Sequence, residues 1–424
     1  MNLVNKILIP ISLTCCFGFL WSCSESVERI DDVFPVDKKK NITGITLELT
    51  TRGDGDSQDS EFKPEDYIPY ELKFDENTRV FISQQPDNSK GIPSAFQSED
   101  VIYSYSYIPG RESATWEQGE NFGPTDIDNP LNWETISNGG VFNGGFSLYA
   151  MLFPESNEIQ QRVTDDNTIH YFVQKDQSTI ENLKKSDILG AYHSTDNLFT
   201  RLRFKLFHLM TYVRIKLYVP VYDAESMTGF FADALDYAEI NNATTEFTVE
   251  WKAYLTTESA PRITALNGEE EIKMYQHHNH NDAGEEIIEE TEIEWKKYIP
   301  DNFFDQPLTT DKDRVKVYEF SVIIPMQKGL PDSEDPSKET QYASTNFLNF
   351  YLRSNAPGVI HKYYFNQSFY ANSNESSLEL SQGNFQYLEL YVPRIGNELI
   401  LVKAHLNEWE HRSTGSFPLK EVED

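Results

Sequence analysis

Residues 201–219 read Arg-Leu-Arg-Phe-Lys-Leu-Phe-His-Leu-Met-Thr-Tyr-Val-Arg-Ile-Lys-Leu-Tyr-Val, and this stretch decides the fold class. Leu202, Phe204 and Leu206 place apolar side chains at even positions, whereas Val213, Ile215, Leu217 and Val219 place them at odd ones. Alternation with period two marks a half-buried strand. A shift of one residue turns every side chain to the opposite face, so the change of phase requires a bulge, bend or turn between Phe207 and Tyr212. Such a bend lets strands pass between the two sheets of a sandwich.

The same period recurs on either side. Ile45, Leu47 and Leu49 alternate with Thr46, Glu48 and Thr50; Tyr103, Tyr105 and Tyr107 alternate with Ser104 and Ser106. Tyr318, Phe320, Val322 and Ile324 repeat the pattern, as do Ile400, Val402, Ala404 and Leu406. Helical spacing is scarce: only Gln177 to Leu189 suits a short helix, with Ser178 as its cap. The expectation is an all-β protein whose core includes Leu47, Phe146, Leu148, Phe204, Ile215, Phe320, Val322, Val402 and Leu406. Its division is expected at 42–196 and 197–411, with a junction near residue 220 as the alternative if the Arg201 strand closes the first domain.

Composition narrows the function. The chain of 424 residues carries 68 acids against 36 bases, a formal charge of −32. Nucleic acid is excluded as a natural partner, because a duplex binder needs a basic stripe to displace counterions. Twenty-seven Phe and 23 Tyr are too many for a disordered acidic chain. There is no Gly-x-Ser-x-Gly elbow, His-Glu-x-x-His pair, phosphate loop or Gly-x-Gly-x-x-Gly turn. A hydrolase reading has no motif behind it, and the expectation is a protein without catalysis or cofactor.

The N-terminus reads as an address. Lys6 precedes an apolar run from Ile7 to Trp21, shorter than the roughly 20 residues that span a bilayer. Leu20-Trp21-Ser22-Cys23 resembles the lipobox of bacterial lipoproteins. That resemblance implies a signal peptide over 1–22, acylation of Cys23 and anchoring in the outer membrane, with 23–41 as a flexible acidic tether and 412–424 as a polar tail. The other cysteines, Cys15 and Cys16, lie in the signal segment, so the mature chain has neither a disulfide framework nor a thiolate metal site.

Three further segments carry candidate sites. Residues 269–294 hold ten acids and one base around His277, His278 and His280. A solvated hairpin excursion is the plain reading, and a divalent metal bound through imidazoles is the chemical alternative. Residues 110–145 place Trp116, Phe122 and Trp133 among Gly, Pro and Asn; such a loop is either packed on its own side chains or a stacking platform for sugars. Arg52 follows a strand and opens a Gly-Asp-Gly-Asp-Ser loop, an accessible site for a protease.

The order of several motifs resembles the fimbrillin family. They are Leu131-Asn132-Trp133, Phe146 to Pro154, Asp176-Gln177-Ser178, Ser186-Asp187-Ile188-Leu189, and Phe204 with His208 leading into Val213-x-Ile215-x-Leu217. The closing Tyr387-Leu388-Glu389-Leu390 and Ala404 to Trp409 are also similar to that family. The resemblance implies two tandem transthyretin-like Greek-key β-sandwich domains in a surface lipoprotein, a pilus subunit or adhesin. It further implies cleavage after Arg52, departure of the strand bearing Ile45, Leu47 and Leu49, and filling of the vacated groove by the strand of another pilus subunit. Beyond Trp409 only Phe417, Leu419 and Val422 are apolar, which is sparse for a donor strand. A surface lipoprotein that binds a glycan or a receptor on a host or bacterial cell without polymerising therefore stands as the alternative.

Overall fold

The computed structural model describes residues 44–49, 68–70, 79–86, 105–109, 121–124, 128, 146–154, 162–165, 168–195, 201–221, 234–250, 258–266, 268–280, 283–284, 286–294, 313–327, 330–331, 339–342, 347–353, 358–366, 369–370, 378–393 and 396–408. Cys23, Arg52, Trp116, Trp133, the tether and the tail lie outside them. So does the burial of Leu47 and Phe146.

The described chain is almost entirely strand. Its first part holds β1 (Gly44–Leu49), β2 (Val80–Pro86), β3 (Tyr105–Pro109), β4 (Asn121–Pro124), β5 (Phe146–Leu152), β6 (Arg162–Asp165), β7 (Thr168–Phe172), the helix α1 (Ile180–Lys185), β8 (Leu189–Thr195) and β9 (Arg201–His208). Then come β10 (Thr211–Pro220), β11 (Ala234–Ala243), β12 (Glu246–Glu250), β13 (Glu258–Ser259), β14 (Arg262–Ala265), β15 (Glu270–Lys273), β16 (Tyr275–His277), β17 (Asn279–His280), β18 (Glu286–Ile287) and β19 (Glu289–Ile293). The last part holds β20 (Asp313–Ile324), β21 (Leu330–Pro331), β22 (Glu339–Tyr342), β23 (Leu348–Arg353), β24 (Ile360–Phe365), β25 (Phe369–Tyr370), β26 (Asn384–Tyr391) and β27 (Ile400–Glu408).

Four sheets carry the architecture. An eight-stranded sheet runs β13-β8-β5-β2-β3-β4-β1-β9, and β8 also pairs with β9, at Leu189↔His208 and Gly190↔Phe207, so the run returns on itself. Its inner side packs on the sheet β14-β12-β7-β6, with Phe81, Met151, Phe153, Tyr171, Phe247 and Ile263 in one buried cluster. A six-stranded sheet runs β16-β20-β10-β26-β27, with β19 also on β20, and faces the sheet β15-β11-β23-β24. Between these two sheets lie Val213, Ile215, Leu217, Phe320, Val322, Phe350 and Leu388, all buried.

The expected bend is present. β9 ends at His208 in the first sheet, and after Leu209 and Met210 the chain enters β10 in the six-stranded sheet. Leu209 N–H donates to Ile188 O at 3.0 Å, Gly383 N–H donates to Met210 O at 3.0 Å, and Thr211 Oγ1 donates to Ser381 O at 2.6 Å. Two glycines make room for the turn. A Cβ on Gly190 would stand 2.9 Å from Leu209 Cδ1, and one on Gly383, already at φ +74°, would stand 3.2 Å from His208 O. The connector at 196–197 lies between β8 and β9, two strands of the same sheet.

Leu148, Phe204, Ile215, Phe320 and Val322 are buried as expected, whereas Val402 and Leu406 are only half-buried. The reason is position: among the described residues β27 is an edge strand, paired on one side by β26. The short helix exists, but Thr179 caps it, its Oγ1 accepting from Asn182 N–H at 3.3 Å. Ser178 is spent one residue earlier, its hydroxyl donating to Asp176 Oδ1 at 2.6 Å. β10 departs from the half-buried expectation in a larger way, because Tyr212, Arg214 and Tyr218 on its second face are also buried.

Candidate functional site

β1 lies between two neighbours of opposite sense. It pairs antiparallel with β4 at Ile45↔Phe122 and Thr46↔Asn121, and parallel with β9 over six residues, Gly44↔Arg201 through Leu49↔Leu206. That register sets Ile45, Leu47 and Leu49 beside Leu202, Phe204 and Leu206, the three buried apolar positions of β9. A parallel neighbour at the start of the chain is unusual in a sheet whose other pairings are antiparallel. It means that β1 is placed by its fit beside β9 and not by a hairpin turn.

The far end of β9 is fixed by buried polar bonds. The Asp187 carboxylate, without solvent exposure, meets His208 Nδ1 at 2.6 Å through Oδ1 and accepts the Tyr70 hydroxyl at 3.0 Å through Oδ2. Burial first, and then the Asp187 charge, hold the Tyr70 phenol well above its ordinary range. Asp187 is itself positioned just beyond α1, where its N–H donates to Lys184 O at 3.0 Å. An aspartate paired with a histidine suggests acid–base chemistry, but this pair is closed to solvent. Its geometry suits a tie that joins residue 70, the α1 segment and β9.

A second buried network lies on the adjoining face of the six-stranded sheet. The Tyr212 hydroxyl donates to Ser321 Oγ at 2.6 Å, and Arg214 Nη1 donates to the same oxygen at 3.2 Å. Arg214 also donates to Glu319 and to His277 Nε2. His277 Nε2 also lies 2.7 Å from Ser321 Oγ and, facing the Arg214 guanidinium, is the unprotonated nitrogen. The imidazole is then neutral with its proton on Nδ1. Burial, followed by the charge of Arg214 and then His278, pushes the His277 imidazole down to about 2. Desolvation pushes the Tyr212 phenol up. Register aligns His277, Glu319, Lys216, Glu389 and Lys403 in one row across five strands, with alternating charge from Glu319 onward. Tyr218 and Tyr387 hydroxyls both donate to Glu389, at 2.8 and 3.1 Å.

The three histidines of the acidic segment therefore part company. β16 follows β20 to His277↔Glu319, and β19 rejoins it at Glu289↔Val317, so the residues between them leave the edge as the hairpin β17–β18. His277 points into the Arg214 network, His278 Nδ1 meets Glu286 Oε1 at 2.6 Å across the hairpin, and His280 is exposed. Among the described residues no group of three or more His, Cys, Asp or Glu could hold a metal ion.

Sequence reasoning did not find a further set of residues, the glutamines that bridge sheets. Gln177, wholly buried, accepts from Ile323 N–H at 2.9 Å and donates to Ile323 O at 2.7 Å, so its amide acts as one more strand residue on β20. Gln327 does the same for Thr244, at 2.8 and 3.2 Å, where the chain passes from β11 to β12. Gln382 accepts from Ile263 N–H and donates to Pro261 O. No local pattern announces such bonds; only the family resemblance pointed at Gln177.

No family model matches the chain, and no curated protein matches it. Solved structures do. A putative cell adhesion protein from Bacteroides ovatus is 11% identical over 88% of this chain and 99% of its own, with a TM-score of 0.40. A fimbrial protein from Bacteroides vulgatus is 11% identical over 87% of this chain and 99% of its own, with a TM-score of 0.39. The tip fimbrial protein of Porphyromonas gingivalis is 8% identical over 78% of this chain and 94% of its own, with a TM-score of 0.29.

Proposed function

We propose that the chain is a fimbrillin-like surface lipoprotein, a pilus subunit or adhesin without enzymatic activity, held in the outer membrane by acylated Cys23. In this reading it is built from two transthyretin-like sandwiches. The chain changes sheet at Leu209 and Met210, between β9 and β10, which supports a junction there over one at 196/197 or at 220. Cleavage after Arg52 releases β1, and the strand of another subunit takes its place.

The observation that carries this reading is the slot of β1. Its two neighbours belong to distant parts of the chain, β9 offers Leu202, Phe204 and Leu206 in register, and the strand ends three residues before Arg52. Removing β1 leaves main-chain groups on β4 and β9 unpaired beside apolar side chains, which invites another extended segment. Main-chain bonds then supply affinity, and alternate side chains supply register. The tie at His208 and Asp187 keeps β9 in place while the slot is empty.

The test is Arg52→Ala in the native host, read by immunoblot of surface fractions and by electron microscopy. The expected result is loss of the shortened form and of assembled material. An unchanged proteolytic pattern together with unchanged assembly contradicts the reading and leaves β1 a permanent strand.

A further inference from the structure

Tyr237, Val359 and Ile360, which stand in solvent, lie on or beside strands of the sheet β15-β11-β23-β24. Register places Tyr237, Tyr351 and Lys362 in one row across β11, β23 and β24, and Arg353 opposite Ile360 in the next. The Tyr237 and Tyr351 rings stack with centroids 4.3 Å apart and planes 15° from parallel. From the other side Lys362 Nζ lies 5.6 Å from the Tyr351 centroid, and the Tyr351 hydroxyl donates to Glu239 Oε1 at 2.6 Å. Tyr351 is thus engaged by ring, cation and carboxylate, whereas 39% of Tyr237 is exposed to solvent.

Two details build this row. The β11–β23 register slips between Leu235 and Tyr237, so Asp236 is an extra residue, and Arg353 Nε donates to its Oδ1 at 2.7 Å. A bulge of this kind re-aims side chains and is common beside binding sites. On the other flank β15 reaches Lys273 opposite Glu239, after which the chain turns away to β16 on β20, so among the described residues no strand runs beside Tyr237.

We infer that this row is a saccharide platform, on which the exposed ring of Tyr237 stacks against the C–H face of a neutral pyranose while Asp236 and Arg353 meet its hydroxyls. The aromatic face carries the negative part of the ring quadrupole and attracts polarised C–H groups. Of the charges at the rim, Arg353 is paired with Asp236, and Glu239 accepts the Tyr351 hydroxyl. On a chain of net charge −32 such a patch favours an uncharged ligand over an anion. A stable protein partner would need on the order of 20–30 residues a side, far more than this row presents. The inference deepens the adhesin reading by naming a ligand class, and its test needs neither cleavage nor assembly, so either can fail alone.

The test is affinity electrophoresis of the purified mature chain, with galactomannan, xyloglucan and glycogen as separate probes, on the parent protein, Tyr237→Ala, Tyr237→Phe and Arg353→Ala. The expected result is retardation by at least one probe, weakened about fivefold in Tyr237→Ala and retained in Tyr237→Phe, as a ring-stacking contribution of about 1 kcal/mol requires. Tyr237→Phe also serves as the folding control, since it keeps the stacked ring. The inference is overturned if no probe retards the parent chain, or if Tyr237→Ala is retarded like the parent. It is equally overturned if Tyr237→Ala alters only self-association in sedimentation, which would make the row a protein contact.

Discussion

Between the six-stranded sheet and β15-β11-β23-β24 the buried side chains are nearly all hydrocarbon, with Phe320 tilted against Phe350 at 5.3 Å and Val213, Ile215 and Leu388 around them. Around the β9–β10 turn burial is just as deep, yet Gln177, Asp187, His208, Thr211, Arg214 and Ser321 lie among Phe153, Tyr171, Tyr212 and Phe385. The first region depends on non-directional burial, which any side chain of similar volume satisfies. The second depends on particular partners, because a buried polar group that loses its mate bears the full desolvation cost. A turn from one sheet into another needs one relative placement, and directional bonds specify placement in a way that a hydrocarbon surface does not.

The contrast is broken most sharply by removing the polar chemistry while keeping the shape. Asp187→Leu is expected to cost about 3–5 kcal/mol in urea unfolding, because the Tyr70 hydroxyl and His208 are left buried without their acceptor. Phe320→Leu, a comparable change of shape in the apolar region, is expected to cost about 1.5 kcal/mol. Equal losses would erase the distinction. A smaller effect comes from Gln177→Leu, which strands the Ile323 N–H and C=O and is expected to cost about 1–3 kcal/mol. If that variant unfolds at the parent's urea midpoint, the glutamine clamps are incidental.

Acidity sharpens the same contrast. The His277 imidazole is pushed from its ordinary value of 6.5 down to about 2 in the folded chain. The unfolded chain therefore takes up a proton near pH 6.5 that the folded chain refuses until about pH 2, and stability falls as pH falls through that window. Between pH 6.5 and 5 this amounts to about 2 kcal/mol. His277→Gln is expected to flatten that part of the profile in urea titrations at each pH, and an unchanged slope would assign the sensitivity elsewhere. The smallest effect is expected at the partly exposed middle of the charged row, where Lys216 Nζ lies 3.8 Å from Glu319 Oε1; Lys216→Met should change stability by less than about 1 kcal/mol.

The alternating stretches announced the strands because period two is a local signal. Leu202, Phe204 and Leu206 against Val213, Ile215 and Leu217 also located the turn between the sheets. Local signals do not carry the layering. Nothing in Tyr212-Val213-Arg214 says that β10 is covered on both faces, and Val402 and Leu406 alternate as strictly as core residues although β27 lies at an edge. The polar joint was legible only in fragments. Tyr70 and Asp187 are 117 positions apart, Arg214 and Ser321 are 107 apart, and such pairs leave no mark on the residues beside them. The His277, His278 and His280 run drew attention as possible metal chemistry, yet the edge of β20 sends its members to different partners.

The central claim is that β1 occupies its slot beside β9 exchangeably. Its most direct measurement is amide hydrogen exchange over residues 201–208 of the purified mature chain, before and after an Arg-specific protease, with and without a synthetic peptide of residues 42–51. Burying an Ile or Leu side chain contributes about 1.5–3 kcal/mol, so if β1 fills the slot, cleavage alone should raise exchange in β9 slowly, and the peptide should restore protection. Exchange in β9 that stays at its starting level after complete cleavage after Arg52, with no bound peptide, would contradict the account.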